Sequence, residues 1–122
     1  MAVLMVFLGG MIGAPLRYLT DRAVQSRHDS VFPWGTFVIN ISGAFVLGAL
    51  TCATHAHGLP SSAMLLLGTG VCGALTTFST FTFETVRLLE DGSLAEAGLN
   101  AIGSLLAGLG AAAAGYALLT WL

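Results

Sequence analysis

The stretch Gly70-Val71-Cys72-Gly73-Ala74-Leu75-Thr76-Thr77-Phe78-Ser79-Thr80-Phe81-Thr82-Phe83-Glu84-Thr85 lies in a long apolar run, yet seven of its side chains carry a hydroxyl or carboxyl group. Two glycines precede a Thr-Thr pair near the middle of that run. Ser and Thr can bond back to the carbonyl one turn earlier and bend a helix. Glycine beside them adds conformational freedom. The pattern predicts a helix interrupted near the centre of a bilayer. Broken helices at that depth present backbone carbonyls and helix ends to a buried path, as in many ion transporters. The competing reading is a polar-tolerant helix packed inside a bundle.

The rest of the chain agrees with a membrane setting. Of 122 residues, 56% are hydrophobic and 8% charged, with a mean hydropathy of +0.88. A soluble domain carries about 25% charged residues, so this chain lacks the side chains to cover a water-facing surface. It has no Lys, and its four cations are Arg17, Arg22, Arg27 and Arg87. That speaks against a nucleic-acid partner, whose phosphates must be neutralised. The excess of apolar surface excludes disorder. A membrane-spanning helix takes roughly 20 residues, and four such stretches fit, at about 2–19, 34–53, 62–89 and 94–122. We therefore expect an all-α, multi-pass membrane protein, with residues 1–122 forming one four-span domain. Met1 runs into apolar sequence without a basic n-region, so the first stretch reads as a retained helix rather than a signal peptide.

The first loop holds Asp21, Arg22, Arg27 and Asp29 and ends at Pro33-Trp34, where Trp suits the headgroup interface. The second, around His55 and His57, has no Lys or Arg; the third, Glu90-Asp91-Gly92-Ser93, is acidic and tight. Arg22 and Arg27 favour the first loop in the cytoplasm, a bias small enough to allow insertion both ways. Cys52 and Cys72 fall inside spans and read as small buried residues rather than a disulfide or metal pair. His55 and His57 read as solvated loop residues.

In hydrocarbon the informative residues are the polar ones. Thr36 and Asn40 are four apart and share a helical face that Gly43 continues. An amide there needs partners or water. It is either a helix–helix hydrogen bond, worth about 0.6 kcal/mol on average in one membrane protein, or a donor lining a hydrated path. Both readings stay open on the sequence. Phe78 and Phe81 are three apart and share a face; aromatic edges attract a small anion, whereas aromatic faces attract cations. Packing alone would also explain the pair. Gly9 and Gly13 form a GxxxG pair, and Gly103, Ala107, Ala111 and Gly115 recur every four residues, so helices can approach closely. Four such helices are too few to enclose a pore, and a dimer is expected.

Three segments carry a resemblance. Gly9-Gly10-Met11-Ile12-Gly13-Ala14-Pro15-Leu16-Arg17-Tyr18, Pro33-Trp34-Gly35-Thr36-Phe37-Val38-Ile39-Asn40 and Gly73-Ala74-Leu75-Thr76-Thr77-Phe78-Ser79-Thr80-Phe81 strongly resemble the CrcB/Fluc fluoride channels, in order and across the first three spans. The resemblance implies a channel in a microbial plasma (inner) membrane. Fluoride would leave the cytoplasm through it passively, which lowers fluoride toxicity. It also implies an antiparallel, dual-topology homodimer with two fluoride pathways. A structural sodium ion would sit at its centre, held by backbone carbonyls of the broken third helices; no organic cofactor and no enzymatic activity are expected.

Carried over by position, Phe78 and Phe81 correspond to the aromatics whose ring edges contact fluoride, with Thr77 beside them. Asn40 corresponds to the pathway amide, and Thr36 lies one turn earlier on its face. Gly73 and Thr76 correspond to the carbonyl donors for sodium. Arg17 matches an Arg near the end of the first helix, and Glu84 the acid after the aromatic pair. Arg17 would either pair with Asp21, four residues on, or draw anions into a vestibule. The fourth span departs from the pattern: Asn100 stands where many members carry Tyr, and Gly108 where some have Ser, although Ser104 fits the hydroxyl track. Pro15 has no functional account.

Fluoride is small and strongly hydrated, so its path must replace water with donors and polarised edges. Thr36, Ser104, Asn40 and the Phe rings supply such groups, and few charges line the spans, so an ion could also leave. No nucleotide motif or intramembrane acid pair suggests energy coupling. One alternative is a small dual-topology drug/proton antiporter, which needs a membrane-embedded carboxylate early in the chain; here the acid, Glu84, comes late. Another is a non-conducting structural subunit, which would explain the Gly rows but not the Thr-Thr-Phe-Ser-Thr-Phe run.

Overall fold

The computed structural model describes residues 1–122. The chain is all-helical, with four helical spans apolar enough to cross a membrane: Ala2–Gln25 (α1), Trp34–Ala56 (α2), Ser61–Glu90, and Leu94–Thr120 (α5). The third span is two helices, α3 at residues 61–75 and α4 at Phe78–Glu90. Between them Thr76 and Thr77 are both extended, with ψ of 156° and 122°. The interruption expected from the Gly and Thr pattern is present.

α1 extends past the sequence-derived limit near residue 19. Arg17, Asp21 and Arg22 end the apolar stretch but not the helix, because polar residues support helical geometry in the headgroup layer. Pro15 lies exposed within α1, and the helix continues through it. The last turns of α1 then close the start of α2. Gln25 Oε1 accepts the Gly35 N–H at 3.0 Å, and the Asp21 carboxylate packs so tightly on Gly35 that a Cβ there would collide with it. An acidic group at a helix N-terminus meets the positive end of its dipole.

Glycine sets which helices touch. α1 packs on α3 because Gly9 and Gly13 bring its backbone against Leu66, Gly70 and Val71. α2 packs along α5, where Gly48 meets the Ala112 carbonyl and Gly115 meets the Phe45 carbonyl. Of the four-residue row on α5, Gly115 serves this contact and Gly103 faces open space. α3 is wound mostly as π-helix, over Met64–Cys72, and α5 has a π-helical segment at Leu99–Gly103. Such turns rotate the following residues relative to an α-helix and often occur at functional places.

The turns are short. Asp91-Gly92-Ser93 closes α4 in a Schellman arrangement, with Ser93 N–H on Leu88 O, Gly92 N–H on Leu89 O, and Gly92 at φ 78°, where glycine has no steric cost. Trp34 stacks obliquely on Phe32 at 4.7 Å and donates to Ser30 Oγ at 3.1 Å, an amphipathic cluster of the kind that settles in headgroups. Only 17 of 122 residues are buried, while apolar side chains such as Phe7, Leu67, Leu105 and Leu109 are exposed all along the helices. This outer surface is suited to lipid or to another helical protein, and the chain is a multi-pass membrane protein.

Candidate functional site

Three successive turns of α2 hold the interrupted span. Thr36 Oγ1 donates to Glu84 Oε1 at 2.5 Å, tying α2 to the middle of α4. One turn on, the Asn40 amide meets the break: Thr77 N–H donates to Asn40 Oδ1 at 2.8 Å, and Asn40 Nδ2 donates to the Thr77 carbonyl at 3.0 Å. At the next turn, Gly43 gives way to the Thr76 methyl. The shared face of Thr36, Asn40 and Gly43 is thus the bracket for the break. Asn40 supplies the donor and acceptor that a neighbouring strand would otherwise give Thr77.

Thr77 also caps α4. Its Oγ1 accepts the Thr80 N–H at 3.2 Å and donates to Thr80 Oγ1 at 3.0 Å, the usual work of an N-cap threonine. Thr80, not singled out from the sequence, is therefore part of the machinery; its position three residues after Thr77 is the signal that could have revealed it. Upstream, Thr76 bonds back to the Cys72 carbonyl through both N–H (2.9 Å) and hydroxyl (2.8 Å).

These bonds have an electrostatic consequence. In an unbroken helix the Gly73 carbonyl would accept from Thr77 N–H, and the Thr76 carbonyl from Thr80 N–H. Asn40 takes the first donor and the Thr77 side chain the second, which releases both carbonyls from helical pairing. Free carbonyl oxygens at the C-terminal end of α3 are hard donors at the negative end of a helix dipole and suit a small cation. No cluster of three His, Cys, Asp or Glu side chains is available to hold a metal, so a cation here would rest on backbone oxygen. The N-terminal end of α4 is the complement, with first-turn N–H groups and a positive dipole end.

An open cleft of about 560 Å³ lies over the break, lined among others by Asn40, Gly73, Thr76, Thr77, Phe78 and Phe81. The Phe78 and Phe81 ring centroids are 5.9 Å apart, at 42° to each other. Phe78 is 79% exposed, so its ring projects beyond the chain's own packing. A second cavity, about 300 Å³, holds Arg17, Asp21, Thr36, Thr77 and Thr80. Thr77 belongs to both cavities and stands between the hollow that contains the Arg17 side chain and the aromatic cleft.

The remaining positions lie elsewhere. Glu84 faces a hollow with Gln25, Arg87 and Asp91. Ser104 lines neither the cleft nor the Arg17 cavity; its hydroxyl donates to Asn100 Oδ1 at 3.3 Å. Thr36 is buried with its proton committed to Glu84. Within one chain, then, Asn40, Thr77, Phe78 and Phe81 come together with Gly73 and Thr76, Thr36 and Arg17 share the adjoining cavity, and Ser104 stands apart. His57, read as a solvated loop residue, binds the Leu119 carbonyl through Nε2 at 3.0 Å and fastens the end of α2 to α5. Cys52 and Cys72 are separately buried, in α2 and α3.

A four-span helical protein with a broken span clasped by a half-buried amide and flanked by two phenylalanines defines a class of small membrane transport protein. Residues 4–116 match the family described as CrcB-like protein, Camphor Resistance (CrcB), and the chain belongs to that family. It is 62% identical over 112 residues to the fluoride-specific ion channel FluC 1 of Streptomyces avermitilis, covering 92% of this chain and 90% of that one. To FluC 1 of Frankia casuarinae it is 53% identical over 120 residues, with 94% and 93% covered. FluC 1 of Nocardia farcinica is 50% identical over 119 residues, with 98% and 81% covered.

Proposed function

We propose that this chain forms a fluoride-selective channel that lets fluoride leave the cytoplasm passively and so lowers its toxicity. The observation that carries the reading is the clasp of Asn40 on the Thr77 backbone, which holds the start of α4 open beside Phe78 and Phe81. The relatives named above carry fluoride-specific names at up to 62% identity. A dehydrated fluoride needs donors, and the second Asn40 Nδ2 hydrogen, the first-turn N–H groups of α4 and the ring edges of Phe78 and Phe81 supply them without a full positive charge. Arg17, in the adjoining cavity, raises the local anion concentration. Thr36 and Thr77 continue the polar track in this reading, Ser104 bears on it only through its bond to Asn100, and Glu84 supports it by anchoring Thr36.

The working unit is an antiparallel homodimer in a microbial inner membrane. Support comes from the 79% exposure of Phe78, an open cleft that one chain does not enclose, and an arginine distribution too small to impose one orientation. Sodium fits the Gly73 and Thr76 carbonyls that the break releases. When bound, it would neutralise the paired carbonyl ends of two α3 helices at the dimer centre. The test is release of fluoride, followed by electrode, from liposomes holding the purified protein. Potential-driven fluoride efflux without chloride efflux supports the reading, and equal efflux of both ions overturns it.

A further inference from the structure

Asn100 is the most deeply buried polar side chain of the protein, at 0% exposure, and it lies in the π-helical segment of α5. Its Nδ2 donates to Thr85 Oγ1 at 2.8 Å, and Thr85 Oγ1 in turn donates to the Phe81 carbonyl at 2.8 Å. Ser104 Oγ donates to Asn100 Oδ1 at 3.3 Å. Every hydrogen in this chain points the same way, from Ser104 through Asn100 and Thr85 to Phe81, and such aligned bonds reinforce one another. The chain ends on the backbone of a residue that lines the cleft. About a quarter turn round its axis, α4 is also held by Thr36 and Asn40 of α2.

We infer that Asn100 is a positioning residue for Phe81: through Thr85 it fixes the roll of α4 and hence the direction in which the Phe81 ring edge faces the cleft. This rests on the fluoride-pathway reading above. An α4 held only from α2 could rotate about the Asn40 and Thr36 contacts. The Asn100 bond supplies a fastening from a second side, about a quarter turn round the helix from the Glu84 contact and one turn below Phe81. The π-helical winding matters because it turns Asn100 inward at a place where a regular helix would carry it round the axis by a different angle. A Thr alone could bond back to Phe81; only a partner across the helix interface ties that bond to α5.

The test uses the full chain in liposomes, with fluoride efflux per channel measured over a range of internal fluoride for wild type, Asn100→Leu, Thr85→Val, Thr85→Ser and the Asn100→Leu/Thr85→Val double variant. Fluoride efflux by the wild type is the control that separates this inference from the pathway reading, which fails alone if the wild type passes none. The expected result is efflux lowered about tenfold by Asn100→Leu and by Thr85→Val, the scale of one lost positioning bond, with the double variant no worse than either. Thr85→Ser, which keeps the hydroxyl, retains wild-type efflux. The half-saturating fluoride concentration rises in the impaired variants, whereas mere loss of folded channels would lower only the maximum. Wild-type efflux in Asn100→Leu, or a double variant about a hundredfold down, overturns the inference. If Asn100→Leu does not assemble, Thr85 decides alone: an impaired Val variant with a competent Ser variant supports it, and a Val variant at wild-type efflux and half-saturation overturns it.

Discussion

Asn40 and Thr77, 37 positions apart in sequence, are joined by two hydrogen bonds between one side-chain amide and one residue's backbone, at 2.8 and 3.0 Å. A helix interrupted inside a bilayer leaves N–H and C=O groups that no water can satisfy. Asn40 satisfies the Thr77 N–H, adds a second donor to the Thr77 carbonyl, and still lines the cleft. Of the two roles open on the sequence, the brace is what these bonds show, and the path is the role proposed for the same amide.

Replacing Asn40 by Leu leaves the Thr77 N–H without a partner and takes away the second donor to the Thr77 carbonyl, which as the N-cap carbonyl keeps its bond into α4. An orphaned backbone N–H costs about 1–3 kcal/mol, so the detergent-solubilised protein should show a clearly lower Tm and little fluoride efflux. Asn40→Asp keeps an acceptor for the Thr77 N–H but sets a carboxylate oxygen against the Thr77 carbonyl. It should lower the Tm as well, and thermal denaturation of the three proteins side by side checks the order.

Glycine contacts give a contrast that does not depend on the ion. A methyl at Gly48 or Gly115 would strike backbone of the facing helix, whereas one at Gly110 meets open space. Gly48→Ala and Gly115→Ala should each destabilise by about 1–3 kcal/mol, as overpacking does. Gly110→Ala should be neutral or stabilising by up to about 1 kcal/mol, from helix propensity. Tm values in one detergent decide it.

Arg17 shares its cavity with Thr77 but lies outside the aromatic cleft. Its proposed effect is to concentrate anions, so Arg17→Gln should slow fluoride efflux several-fold at low ionic strength. The difference should shrink as an inert salt screens the charge over about 10 Å or less. An equal deficit at every salt concentration would assign Arg17 a packing role instead.

Glu84 separates passive conduction from proton-coupled exchange. In Glu84→Gln the amide oxygen can still accept the Thr36 hydroxyl, so the fold should survive. Neither wild type nor variant should extrude a cationic dye when a proton gradient is imposed. Dye extrusion by the wild type that Glu84→Gln abolishes would favour the antiporter.

The four spans were legible because about 20 apolar residues in a row admit few other structures, and the break because glycines precede consecutive threonines. The polar end of α1 was not: loss of hydropathy marks a membrane boundary, and Arg17 to Gln25 remain helical beyond it. Gly43 and Thr36 could be placed on the Asn40 face by spacing, but their partners, Thr76 and Glu84, depend on how α4 docks. Ser104 shows the limit most clearly. The family resemblance placed it on a hydroxyl track, while its partner is Asn100, buried by a π-helical segment that no residue pattern announces.

Phe78 and Phe81, set beside the Asn40 clasp, are proposed to carry fluoride. The most direct measurement is fluoride-electrode efflux from liposomes containing wild type or Phe81→Ile, with chloride efflux recorded in parallel. The wild type should release fluoride rapidly and no chloride, and Phe81→Ile should lose most fluoride release while its elution profile and Tm stay close to wild type. Equal release of the two halides, or undiminished fluoride release by Phe81→Ile, would contradict that role.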